Sequence, residues 1–158
     1  MRFAMLAIGL VLGCDDGGSP IEPVSGSWGY LEGDLFDDGC HYGDPATSPM
    51  GTFRLVNNGD RTMTITTTGD PPFSCTLDGA SYACPDRASS DVPVPTLDAT
   101  LHLHVAAYGT FSSPTATAGH QTVVATCTGT QCDLAAAAAG VTLPCNFSVR
   151  YTASRVGP

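Results

Sequence analysis

Thr96-Leu97-Asp98-Ala99-Thr100-Leu101-His102-Leu103-His104-Val105-Ala106-Ala107-Tyr108 alternates without a fault: Leu97, Ala99, Leu101, Leu103, Val105 and Ala107 fall on one side, and Asp98, Thr100, His102, His104 and Ala106 on the other. A period of two puts successive side chains on opposite faces of an extended chain, so this stretch reads as a strand with one face in a core. The same period recurs at Phe53 and Leu55 around Arg54, at Met63 and Ile65 between threonines, and at Phe147, Val149 and Tyr151 around Ser148 and Arg150. Further strands are expected at Ser27 to Leu31, in the two arms of Phe73 to Cys84, at Thr110 to Ser112 and at Gln121 to Thr128. Asn57-Asn58-Gly59-Asp60 and Thr68-Gly69-Asp70-Pro71-Pro72 are turn sequences, which makes neighbours in sequence neighbours in the sheet. The expected fold is all-β, an antiparallel meander of about eight strands forming a small barrel or sandwich. One short helix precedes the last strand, over Asp133 to Ala139, with Asp133 capping its start and Gly140 ending it.

The chain has 158 residues, a formal charge of −9 and no lysine. Its arginines are scattered, which argues against nucleic acid as a partner and against a polybasic patch for anionic lipid. Seven cysteines are present, at 14, 40, 75, 84, 127, 132 and 145. Setting Cys14 aside leaves an even set: Cys40, Cys75, Cys84, Cys127, Cys132 and Cys145. In an oxidising compartment that arithmetic favours three disulfides, and the absence of a Cys-x-x-Cys pair argues against zinc. Within Phe73 to Cys84, a loop over Asp78 to Ser81 places Leu77 opposite Tyr82 and Cys75 opposite Cys84, close enough to bond. The other four cysteines allow three connectivities, and a bridge from Cys145 to Cys127 or Cys132 is preferred.

The N-terminus carries one arginine, an apolar run, and then Val11-Leu12-Gly13-Cys14. The run is far shorter than the ~20 residues a spanning helix needs, so it reads as a signal segment. Val11-Leu12-Gly13-Cys14 resembles the lipobox of bacterial lipoproteins. The resemblance implies removal of residues 1–13 and a diacylglycerol on the Cys14 sulfur, which would be the membrane attachment. Loss of Arg2 with the leader moves the formal charge to −10. Asp15, directly after the cysteine, resembles an inner-membrane retention signal of enteric bacteria, a rule that leaves the choice of membrane open here. Residues 14–25 then form the acylated cysteine and a polar tether, and 26–158 a single disulfide-stabilised β domain, monomeric in its soluble part.

Gly26-Ser27-Trp28, at the start of the first strand, resembles the Gly-x-Trp motif that opens the barrel of lipocalins and other calycins. That resemblance implies a late arginine packed across the tryptophan, a role open to Arg150 or Arg155.

Signatures of catalysis are missing: there is no Gly-x-Ser-x-Gly, no His-Glu-x-x-His and no phosphate-cradling glycine loop. His102 and His104 share one strand face, which makes them candidate metal ligands with Asp98 or a neighbouring strand completing the set. Asp34, Asp37 and Asp38, in the acidic stretch from Glu32 to Asp44, offer oxygen donors for calcium, although the spacing is not that of an EF-hand. A solvated face accounts for both groups, and no cofactor is expected. Cys84 to Pro95 reads as a proline-bearing connection that, with Tyr42, Tyr82 and Tyr108, would rim a binding mouth. The functional expectation is a lipid-anchored protein of the bacterial cell envelope, facing the periplasm or the exterior, which binds and does not catalyse. Its partner would be an envelope protein or a surface polymer. The alternative is a calycin-like barrel that carries a small apolar molecule or inhibits a secreted protease.

Overall fold

A computed structural model describes residues 20–41, 43 and 49–158. The lipobox, Cys14, Tyr42 and Asp44 lie outside the described residues. Eight strands run in order around a closed antiparallel barrel: β1 (Gly26–Phe36), β2 (Met50–Asn57), β3 (Thr62–Thr66), β4 (Phe73–Asp78), β5 (Ser81–Pro93), β6 (Thr100–Ser113), β7 (Ala116–Thr128) and β8 (Cys145–Gly157). The barrel, and not the sandwich, is therefore the fold, and the helix α1 (Cys132–Ala139) stands before the last strand as expected. Closure comes from β1 pairing with β8, with Trp28 opposite Arg155 and Tyr30 opposite Ala153.

Three expected boundaries are corrected. Thr110 to Ser112 is not a separate strand but the end of β6, which begins at Thr100 because 94–99 turns, with the Val94 N–H donating to the Ala99 carbonyl. Gly109 interrupts the apolar pattern without breaking the strand: it occupies an inward position, and a Cβ there would overlap the ring of Tyr82. Cys84 to Pro95 is not a loop, because β5 runs through it to Pro93. Its prolines are accommodated where strands tolerate them. Pro85 sits in a register shift between Cys84 and Arg87, and Pro93 is the last residue of the strand.

The helix is ended by Gly140, whose φ of 72° is left-handed and whose N–H reaches back to the Ala136 and Ala137 carbonyls. Its N-cap is Gln131, not Asp133; Asp133 lies in the first turn, where a carboxylate suits the helix dipole.

Inward side chains pack the lower end of the barrel, where β1 begins. Trp28 is fully buried, stacked on Phe53 at 6.2 Å and edge-on to Phe111 at 6.0 Å, with its indole N–H donating to the Val24 carbonyl. Residues placed in the tether by sequence cross this end: Ile21 packs against the core, the Val24 N–H donates to the Pro114 carbonyl, and the Asn57 amide donates to Glu22.

Three disulfides form. Cys75 is bonded to Cys84 as expected, within the continuous register that sets Leu77 opposite Tyr82, and both half-cystines lie in the core. The preferred pairing for Cys145 is corrected. Cys145 bonds Cys40, tying the start of β8 to the chain after β1, and Cys127 bonds Cys132, tying the end of β7 to the start of α1. Five residues of separation suffice for the second bridge because the chain turns between the two elements.

The bridges differ in what they close. In the chain-entropy treatment a loop of 105 residues contributes about 4.7 kcal/mol and one of five residues about 2 kcal/mol. Urea unfolding should therefore show a larger loss for the Cys40→Ser, Cys145→Ser pair than for Cys127→Ser, Cys132→Ser; equal losses would contradict this ranking. Gly109→Ala should cost about 1 to 3 kcal/mol by overpacking against Tyr82.

Candidate functional site

Above the packed lower end the barrel encloses a cavity of about 150 Å³. Its walls are apolar: Leu55, Met63, Phe73, Val105 and Phe111 reach into it from β2, β3, β4 and β6. Its upper end is a polar collar of Glu32 from β1, Asp70 from the β3–β4 connection, Arg87 and Ser89 from β5, and Gln121 from β7. Glu32 follows Trp28 and Tyr30 in the period of β1. Arg87 and Ser89 face inward because the register shift after Cys84 exchanges the faces of β5.

Arg87 is better covered than its ion-pair partner, with a side chain 13% exposed against 31% for Asp70. Its guanidinium lies 3.9 Å above the centre of the Phe73 ring, and its Nη2 is 3.8 Å from an Asp70 oxygen. Nε and Nη1 are buried and have no hydrogen-bond partner among the described residues. Asp70 is held in place by the hydroxyls of Ser89, at 3.0 Å, and Thr67, at 3.2 Å. Burial holds the Arg87 pKa below its usual value, against the opposing pull of Asp70, and burial raises that of the Glu32 carboxyl. The Tyr30 phenol is raised by burial first, and then by Glu32 and Asp70.

Deeper in the cavity the Tyr82 and Tyr151 hydroxyls hydrogen-bond to each other. The Thr117 hydroxyl donates to the Thr110 carbonyl at 2.9 Å and stands 3.4 Å from Tyr82 Oη. Burial raises both phenols above the ordinary tyrosine value, and Tyr82 pushes Tyr151 further in the same direction. They are neutral donors and acceptors at any physiological pH.

The metal-ligand candidates singled out by sequence lie elsewhere. His102 and His104 are on the outer face of β6, and each turns to its own carboxylate on β5. His102 Nδ1 is 2.6 Å from Asp91 Oδ1 and its Nε2 is 2.8 Å from Thr128 Oγ1, while His104 Nδ1 is 2.9 Å from Asp86 Oδ2. Asp98 joins neither, because its carboxylate accepts from the Thr130 N–H and hydroxyl, the latter holding its pKa low. Asp34 and Asp37 are exposed, and Asp38 accepts from the Gly43 N–H at 2.9 Å. Among the described residues no group of three or more His, Cys, Asp or Glu is placed to hold a metal ion.

Of the two late arginines, Arg155 is beside Trp28, with its Nε donating to the Ser25 carbonyl; Arg150 is over the Phe36 ring at 4.9 Å. The expected tyrosine rim is also corrected. Tyr82 is inside the barrel, whereas Tyr108 is outside, stacked on His120. Arg87, Asp70 and Glu32 are the charged residues described at the mouth.

The chain matches no protein family, no curated protein and no solved structure.

Tyr151→Phe should cost about 1 to 3 kcal/mol, since it leaves the buried Tyr82 hydroxyl short of a partner. Because both phenols have raised folded values, stability should hold up to a pH of about 10, where unfolded tyrosines begin to ionise, and fall as pH rises beyond it. Ultraviolet absorbance should show these two ionising only as the protein unfolds; their ionisation in a still-folded chain would refute the buried pair.

Proposed function

We propose that this chain is a lipid-anchored binding protein of the bacterial cell envelope, non-catalytic, whose barrel holds one small and largely apolar molecule. The observation that carries this reading is the cavity of about 150 Å³ with apolar walls and a polar mouth. Binding pockets combine apolar walls with a few placed polar groups, and an eight-stranded barrel leaves an interior that is either filled by side chains or holds one small ligand. A space of this size takes a molecule about as large as benzene. The collar offers a stacked arginine, two carboxylates, and the Ser89 and Thr67 hydroxyls, which are taken up in orienting Asp70, an arrangement that favours holding a ligand over acting on it. The location rests on Val11-Leu12-Gly13-Cys14, with the soluble domain acting as a monomer tethered through Cys14.

A second reading, contact with an envelope protein or surface polymer, draws on Leu31 and Met50. They are register partners on β1 and β2 and remain 45% and 76% exposed.

Native mass spectrometry of the mature chain purified from its host should show an added small mass that disappears on denaturation. Ala107→Phe, which fills the cavity from β6, should abolish that mass and leave the fold intact. A bare wild-type mass would reject the carrier reading in favour of the second. Cys14→Ser should release the protein from the membrane fraction; continued membrane association would reject the lipid anchor.

A further inference from the structure

The collar also bears on what kind of molecule enters. Arg87 is held by a ring under its face and one ion pair of 3.8 Å, which is too long for a hydrogen bond. Its Nε and Nη1 are shielded and unpartnered. Buried N–H groups left without an acceptor are a standing cost to the folded state, larger when the donor is charged. No described residue accepts a hydrogen bond from this guanidinium, so it can turn about its stem to meet an acceptor in the cavity without giving one up. The walls below it, Phe73 and Val105 among them, suit an apolar body.

Charge then decides which acceptor. Two carboxylates, Asp70 and Glu32, line the same cavity as the single guanidinium, for a formal charge of −1. A carboxylate ligand would raise this to −2 in a partly desolvated space, and the raised pKa of Glu32 shows that burial there already disfavours negative charge. An ammonium would neutralise the formal −1 but would supply no acceptor for Arg87, so the shielded N–H groups would stay unpaired. A neutral oxygen acceptor meets the need of the N–H groups and adds no charge.

Resting on the carrier reading above, we infer that the barrel takes a small neutral molecule, about the size of a six-membered ring, with one carbonyl-type oxygen directed to Arg87. Arg87 is thus a specificity residue for the ligand's polar end.

Four probes built on one six-membered ring test this by NMR titration of the full chain: cyclohexanone, methylcyclohexane, cyclohexanecarboxylate and cyclohexylammonium. Cyclohexanone should bind at least about tenfold more tightly than methylcyclohexane, the scale of one hydrogen bond from a charged donor. Arg87→Met, which keeps an apolar stem over Phe73, should lose this preference, so that the ketone no longer binds more tightly than the hydrocarbon. Equal binding of ketone and hydrocarbon to the wild type would overturn the inference and leave the carrier reading standing, as would tighter binding of either charged probe. If none of the four shifts a cavity resonance, the carrier reading fails and the inference fails with it.

Discussion

The pairing of β8 with β1 is the constraint on which the other features depend. Without that ladder the chain is an open eight-stranded meander with two raw edges. With it, every inward residue faces a common interior, and the width of that interior is set by the number of strands. Closure also puts distant residues to joint use. Tyr82 on β5 meets Tyr151 on β8 across the barrel, and Glu32 on β1 shares a mouth with Arg87 on β5. The interior is then divided lengthwise. Trp28, Phe111 and the Cys75–Cys84 bridge fill the lower part, while the part above them, ringed by Glu32, Asp70 and Arg87, stays open enough to admit a small molecule.

How much of this was readable from sequence follows from where the period of two persists. β6 was legible because Leu101 to Ala107 alternate without interruption, and the Cys75–Cys84 bridge was legible because the register of a short hairpin follows from its turn. Glu32 was within reach, since it continues the parity of Trp28 and Tyr30, but its acidic neighbours drew it into a surface stretch. Arg87 was not within reach. Its inward direction depends on the register shift at Pro85, and a shift exchanges the two faces of a strand without leaving a mark in the pattern. His102 and His104 were legible as far as their face. They fall on the polar parity of β6, the outer face, and what the period could not give is that the cross-strand carboxylates Asp91 and Asp86 supply each ring with its own partner. The long bridge, Cys40 to Cys145, could not be derived from spacing, because its proximity is created by the β1–β8 closure, which joins the two ends of the domain.

Electrostatics give the collar its character. A guanidinium between a ring and a carboxylate, with two N–H groups unpaired, is a costly arrangement for a residue whose only task is to close a barrel. Leucine at that position would cover Phe73 without desolvating a charge. Asp70 is itself oriented by Ser89 and Thr67, so the ion pair is set from the carboxylate side and the arginine is the less constrained member. Buried polar groups that are only partly satisfied are where a structure departs from what stability alone favours, and such departures concentrate at functional sites. The Tyr82–Tyr151 pair makes the contrast within one cavity, because there each hydroxyl has a partner and the arrangement is explained by packing and hydrogen bonding alone.

The positions of the bridges make an open interior compatible with a stable fold. A protein that leaves part of its core unfilled forgoes contacts there and must find stability elsewhere. Here the Cys75–Cys84 bridge lies inside the barrel, where sulfur occupies space below the cavity, and the other two clamp segments at the upper end. Cys40–Cys145 and Cys127–Cys132 are both remote from the cavity walls, since neither contributes a residue to its lining. They act mainly by restricting the unfolded chain, an effect that does not depend on how well the native interior is packed. Larger side chains at Ala107 or Thr117 would be the alternative route to stability, and they would take it from the same space a ligand needs. Stapling from outside leaves that space free.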